Sequence, residues 1–126
     1  MEVNMTKTKY TTNSVQFEHI STTKIQLLND TFRKTFIGGT VYITPAIQRL
    51  NEINKFNLIK SVKEFNDFNP DNDPYNEHDF GQIILNDTKY FWKIDYYDNQ
   101  LENGSEDPSN PEITKRVLTI MEASEY

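Results

Sequence analysis

Phe80-Gly81-Gln82-Ile83-Ile84-Leu85-Asn86-Asp87-Thr88-Lys89-Tyr90-Phe91-Trp92-Lys93-Ile94-Asp95-Tyr96-Tyr97 decides the fold of this chain. Two runs of apolar, aromatic and β-branched residues flank Asn86-Asp87-Thr88, whose side chains suit a tight turn, so the stretch reads as a β-hairpin with strands over 80–85 and 89–97. Side chains alternate across a strand, which puts Tyr90, Trp92, Ile94 and Tyr96 on one face and Phe91, Lys93, Asp95 and Tyr97 on the other. The first face reads as core. The second sets a Lys and an Asp two residues apart among aromatics. That pattern fits a surface ion pair, or a pocket wall able to hold a nucleotide or a peptide.

Working toward the amino terminus, Ile25, Leu28, Phe32 and Phe36 recur at three- and four-residue spacing and predict a helix over 23–35. Ser21 or Thr22 is placed to cap its start, and Gly38-Gly39 to supply the left-handed residue at its end. Thr40 to Thr44 reads as a short strand, stopped by Thr44 as a cap and Pro45 at the first helical position. Ile47, Leu50 and Ile53 predict one helical segment. Leu58, Ile59, Val62, Phe65 and Phe68 predict a second, with the break at 54–57. Lys55, Lys60 and Lys63 fall on the polar side of these segments. On the other flank, 98–112 is a long acidic loop, Arg116 to Met121 a further strand, and 122–126 a polar tail. Residues 1–21 show no helical period and fit either a strand over 10–21 or an arm that orders on self-association; His19 within them reads as incidental. The expected fold class is α+β: a mostly antiparallel β-sheet of about four strands packed with two or three helices, in a single compact domain over 22–126 preceded by the 1–21 extension.

Composition sets the outer limits. A chain of 126 residues, 36% hydrophobic and 13% aromatic, can bury one core and no more. It has no cysteine, which excludes disulfides, thiolate metal sites and cysteine nucleophiles. No apolar run approaches the roughly 18 residues of a membrane span, and the polar start carries no signal-peptide pattern, so a cytoplasmic protein is expected. The net charge of −6 is unevenly spread. Residues 1–63 hold nine Lys/Arg against four Asp/Glu, while residues 64–126 hold four against fifteen. The acidic segments are either solvated loops or a face that repels nucleic acid and attracts a basic protein or a cation.

The segment Asp71-Asn72-Asp73-Pro74-Tyr75-Asn76-Glu77-His78-Asp79 begins like a calcium loop but has Tyr75, Asn76 and Gln82 where that loop needs an oxygen ligand, Gly and Glu. A looser divalent-cation site from Asp71, Asp73, Glu77 and Asp79 is one remaining reading. His78 with Asp79 as an acid/base pair is a second. The third, and preferred, is structural: Asp and Asn side chains bonding to backbone N–H groups to fix the loop.

These segments, together with Phe91-Trp92-Lys93-Ile94-Asp95-Tyr96-Tyr97-Asp98, Arg116-Val117-Leu118-Thr119-Ile120-Met121 and Ser124-Glu125-Tyr126, resemble a family of small bacterial proteins known as domain of unknown function 3768. Asn29-Asp30, Phe32-Arg33, Gly38-Gly39 and Ser105-Glu106-Asp107-Pro108 also fit its pattern, so the resemblance spans about 23–126. Asn76 departs from it, where Gly is usual; Asn also tolerates a left-handed backbone. The resemblance implies no activity.

Three functional classes remain. The first is a non-catalytic acidic binding protein, such as an inhibitor or sequestering, anti-defence protein of a mobile element. Its acidic and aromatic surface comprises Asp71, Asp73, Tyr75, Glu77, Trp92, Lys93, Asp95, Tyr97 and Arg116. Its partner is a protein or a nucleotide-like ligand, not nucleic acid directly and not a membrane. The second is a small enzyme or ligand-binding domain using His78, Asp79, Lys93 and Asp95, which must converge in one cleft. The third is an assembly module, with homo-oligomer formation as its mark. No cofactor is expected beyond the divalent cation already named.

Overall fold

A computed structural model describes residues 7–126, with side chains from Ile20 onward. Its elements in chain order are helix α1 (Lys7–Thr35), strand β1 (Thr40–Ile43), helices α2 (Pro45–Gln48) and α3 (Glu52–Lys63), and strands β2 (Phe80–Leu85), β3 (Thr88–Tyr97) and β4 (Lys115–Glu122). A single 3-10 turn, Ala123–Glu125, closes the chain.

The hairpin forms as the alternation dictates. β2 and β3 pair antiparallel from Leu85–Thr88 to Phe80–Lys93, and Asn86 and Asp87 both take positive φ, 52° and 65°. Two consecutive left-handed residues match the right-handed twist of the flanking strands. β4 pairs antiparallel with β3, and β1 adds parallel to β4, giving a mixed four-stranded sheet in the order β1-β4-β3-β2. The fold is α+β, in one compact domain.

One face of the sheet meets the helices. Tyr90, Trp92, Ile94, Leu118 and Ile120 are buried there against Phe32 of α1, Ile47 of α2 and Leu58 and Val62 of α3. Gly81 lets the sheet close on this layer: a Cβ there would stand 2.3 Å from Trp92 Nε1 and 2.8 Å from Phe65. On the far face, Tyr126 packs edge-on against Phe91, at 5.4 Å between ring centroids.

Four local expectations are corrected. The strand over 10–21 is not formed, because α1 runs unbroken from Lys7, which also places Ser21 and Thr22 inside the helix instead of at its cap. Residues 1–6 of the expected arm, and the side chain of His19, lie outside the described residues. The left-handed residue that ends α1 is Phe36 (φ 62°), whose N–H reaches Phe32 O. Gly39 serves close packing instead, since a Cβ there would stand 2.5 Å from the Arg116 carbonyl. The helical break falls at 49–51 and not at 54–57, because the Asn51 side chain accepts a bond from Asn54 N–H and caps α3; this phase leaves Ile53 exposed and Phe65 and Phe68 beyond the helix.

The terminal pentapeptide is structured. Thr44 precedes Pro45 as expected, but its hydroxyl donates to Glu125 Oε1 and makes no cap bond of its own; Glu125 Oε2 accepts from Ala46 N–H. A carboxylate from the end of the chain thus neutralises the positive end of α2.

Candidate functional site

Asn29 and Arg33 lie one turn apart on α1, on the side that also carries Phe32, and both are buried. Burying polar groups is tolerated only when their donors and acceptors are met, and both meet them on the 62–79 segment and the sheet. Arg33 donates from Nε to Val62 O (3.1 Å), from Nη2 to Phe65 O (3.0 Å) and from Nη1 to Asp30 Oδ1 (3.0 Å). Its guanidinium also lies 5.1 Å from the Trp92 ring and 5.3 Å from the Phe68 ring, within cation–π range. Arg33 therefore takes up carbonyls freed as α3 ends.

Asp30 faces a second cation-forming group. His78 Nδ1 sits 2.9 and 3.1 Å from the two Asp30 carboxylate oxygens, and its ring stacks on Phe68 at 3.7 Å with 3° between planes. Nε2 points toward Asp73 Oδ2 at 3.7 Å, beyond hydrogen-bond length. The other Asp73 oxygen accepts the N–H groups of Glu77 and His78. Asn76 and His78 both take the left-handed backbone, at φ 60° and 58°. Asn tolerates it; for His it is uncommon. The bonds to Asp73 and Asp30 and the stack on Phe68 hold that conformation in place.

A second network joins α1 to the sheet. Asn29 Nδ2 donates to Glu77 O (3.0 Å) and to the Tyr96 hydroxyl (2.8 Å), and its Oδ1 accepts from Arg116 Nε (2.7 Å). Tyr96 in turn donates to Glu77 Oε1 at 2.7 Å. Arg116 donates to Pro108 O and lies over the Tyr96 ring. Burial, and then the bond to Glu77, push the Tyr96 phenol far above its ordinary range, so it remains a donor. Burial likewise pulls the Arg116 guanidinium below its usual value.

Asp79 stands beside this network. Burial, and then the neighbouring Glu77 charge, push its carboxyl up to about 6. A carboxyl raised in the folded state binds its proton more tightly folded than unfolded. It therefore weighs nothing against stability below about pH 4, and its penalty grows as pH rises through 6. Asp79→Asn is expected to raise urea-unfolding stability by about 1–2 kcal/mol at pH 8, discounted for the partial exposure of the group, and to leave it unchanged at pH 4. An equal effect at both pH values would contradict this assignment.

The residues nominated from sequence divide into three sets. Asp73, Trp92 and Arg116 are buried, so their roles are internal. Asp71 and Tyr75 are exposed on the 64–79 segment, with Glu77, His78 and Asp79 half-buried behind them. Lys93 and Asp95 form an ion pair of 2.9 Å beside Tyr97 on the face of the sheet away from the helices. His78 is on the helical side, Lys93 and Asp95 are on the other, and the carboxylate that His78 engages is Asp30; Asp79 lies within electrostatic reach of both Glu77 and Asp95. Among the described residues no three His, Asp or Glu groups converge as a metal ion requires. Asn29, Asp30 and Arg33 are not among the site residues that the sequence points to. A signal was present, since Asn29 and Arg33 interrupt the apolar side of a helix that carries Leu28 and Phe32.

Beside His78 opens a cleft of about 910 Å³ between α1, α3 and the 64–79 segment. Phe65, Phe68 and His78 line it with Lys34 of α1 and Lys60 and Lys63 of α3; Asp30 and Glu64 are its carboxylates.

The family pattern described as Protein of unknown function (DUF3768) matches residues 43–125. The chain belongs to this family. The match begins at the end of β1 and takes in the His78 segment, Tyr96 and Arg116, while Asn29, Asp30 and Arg33 fall before it. No curated protein and no solved structure matches the chain. No helix among the described residues is long and apolar enough to cross a membrane.

Proposed function

We propose that this member of the DUF3768 family is a non-catalytic binding protein whose ligand occupies the cleft between α1, α3 and the 64–79 segment. One observation carries the reading: Asp30 and His78, which line that cleft, are bound to each other, while Lys34 and Lys60 on its rim have no carboxylate partner among the described residues. His78 holds Asp30 through Nδ1 while its Nε2 lies 3.7 Å from Asp73 Oδ2 without a hydrogen bond, Glu77 holds the Tyr96 hydroxyl, and Asp73 holds two backbone N–H groups. These bonds make a rigid wall, and preorganised walls favour binding.

Retention of a small anionic ligand is the form of the sequestering, inhibitor-type role that such a cleft supports, in place of attachment through the acidic loops. Two carboxylates of the 98–112 loop are turned on their own segment: Asp98 accepts from Glu102 N–H, and Asp107 from the N–H and hydroxyl of Ser109.

Native mass spectrometry of the protein purified from its host, before and after denaturation, tests the proposal. The expected result is a mass excess that denaturation removes and that the folded double variant Lys60→Glu/Lys63→Glu lacks. Wild type and variant both running at the bare chain mass would overturn tight ligand retention. An excess that survives in the variant would place the ligand elsewhere.

A further inference from the structure

Resting on the cleft being the ligand site, we infer that its ligand is a nucleotide-class molecule carrying at least two phosphate charges, held between Lys34 on one wall and Lys60 with Lys63 on the other.

Charge points to the phosphates. The chain as a whole is at −6, yet Arg33, Lys34, Lys60 and Lys63 meet only Asp30 and Glu64 in this cleft, which leaves a local positive field inside an acidic protein. Lys34 and Lys60 are exposed and have no carboxylate partner among the described residues. Lys63 Nζ rests 4.4 Å from the Phe36 ring centroid, an attraction that positions it without neutralising it. Arg33 adds charge but few free donors, because three of its nitrogens already bond to the protein. Ammonium groups are compact point charges suited to phosphate oxygens. Lys60 and Lys63 are three residues apart on α3 and so share a face, while Lys34 comes from a different helix. Cations on two separate elements match a ligand with more than one anionic group.

Shape and surroundings point to a small ligand with a ring. A volume of about 910 Å³ lies within the range of small-molecule sites. The net negative charge disfavours a long polyanion, whose flanks would run over acidic surface. Phe65 and the stacked Phe68–His78 pair contribute aromatic surface to the same cleft; one face of Phe68 is taken by His78, so a purine or pyrimidine base would set its flat face against Phe65 or the outer side of the His78 ring.

The test is calorimetric titration of the full chain with ATP, inorganic triphosphate and adenosine at low salt. ATP is expected to bind at least about tenfold more tightly than inorganic triphosphate, and adenosine without detectable heat. Lys34→Glu and Lys60→Glu are each expected to weaken ATP about tenfold or more, while Lys115→Glu, exposed on β4, leaves it unchanged. Raising salt should weaken binding in the wild type. Failure of both ATP and triphosphate to bind at millimolar concentration would overturn the inference, as would equal affinity for the two or indifference to both cleft substitutions. A host-derived ligand without phosphate, lost in Lys60→Glu/Lys63→Glu, would refute the phosphate class and leave the cleft as the site; no cleft-dependent ligand of any kind would refute both.

Discussion

Arg33→Ala is expected to lower the unfolding free energy by about 3–5 kcal/mol, because it opens a cavity beside Trp92 and takes the guanidinium donors from Val62 O and Phe65 O, although Asp30 keeps His78 and Val62 O keeps the Phe65 N–H. Arg33 is 1% exposed and bonds to two backbone carbonyls and one carboxylate on two different parts of the chain. Without it, Val62 O and Phe65 O lose their guanidinium donors, and a cavity opens between Phe68 and Trp92. A loss of that size is a large fraction of what a domain of this length has. Arg33→Lys keeps the charge but presents one ammonium where a planar fork met three acceptors, so it should recover less than half. Arg33→Met fills much of the volume without burying a charge and should fall between Arg33→Ala and wild type. Urea unfolding followed through Trp92, the sole tryptophan, reads all three variants in the region affected. A stability for Arg33→Ala within 1 kcal/mol of wild type would show that α1 is not held to α3 through this side chain.

The hairpin was legible because strand alternation and turn chemistry agreed over one continuous stretch: Tyr90, Trp92 and Ile94 did become core, and Asn86-Asp87 did become the turn. Local signals that compete were less readable. The 54–57 run reads as the break, yet the break falls before it, where the Asn51 side chain meets a free N–H at the start of α3. Gly38 and Gly39 looked like the end of α1, but Phe36 accepts the left-handed backbone and Gly39 is reserved for contact with the Arg116 carbonyl. Nor does an apolar period mark the first turns of α1, which are rich in Thr, Asn and Lys.

The candidate site was mostly hidden for a different reason. His78 stands next to Asp79 in sequence yet engages Asp30, 48 positions away, and Asn29 meets Arg116 across 87. Such pairings follow from α1 lying across the acidic segment and the sheet, which no local pattern encodes. What sequence did convey was the structural use of Asp73, whose carboxylate captures the backbone N–H groups of Glu77 and His78 at short range.

Asn29→Ala is expected to cost about 2–4 kcal/mol and to loosen the cleft as well as the fold. Asn29 supplies three bonds, to Glu77 O, Tyr96 and Arg116, and its loss leaves a buried guanidinium with one acceptor fewer, which is dearer than losing a neutral pair. Tyr96→Phe, which removes only the hydroxyl, should cost about 1–2 kcal/mol. Because both side chains serve the same Glu77 segment, the double variant should fall short of the sum of the singles by about 0.5 kcal/mol or more. Strict additivity would mean that the two bonds act independently. The consequence for binding follows from position. Asn29 fixes the backbone at Glu77, and the next residue is His78, which lines the cleft; Asp30, its partner, is the next residue on α1. Loss of Asn29 therefore frees the wall on which a ligand would rest while leaving Lys34, Lys60 and Lys63 in place. ATP affinity should fall in Asn29→Ala even at temperatures where the variant is fully folded. Unchanged affinity in the folded variant would show that the lysines alone define the site and that the Asp30–His78 wall contributes only to stability.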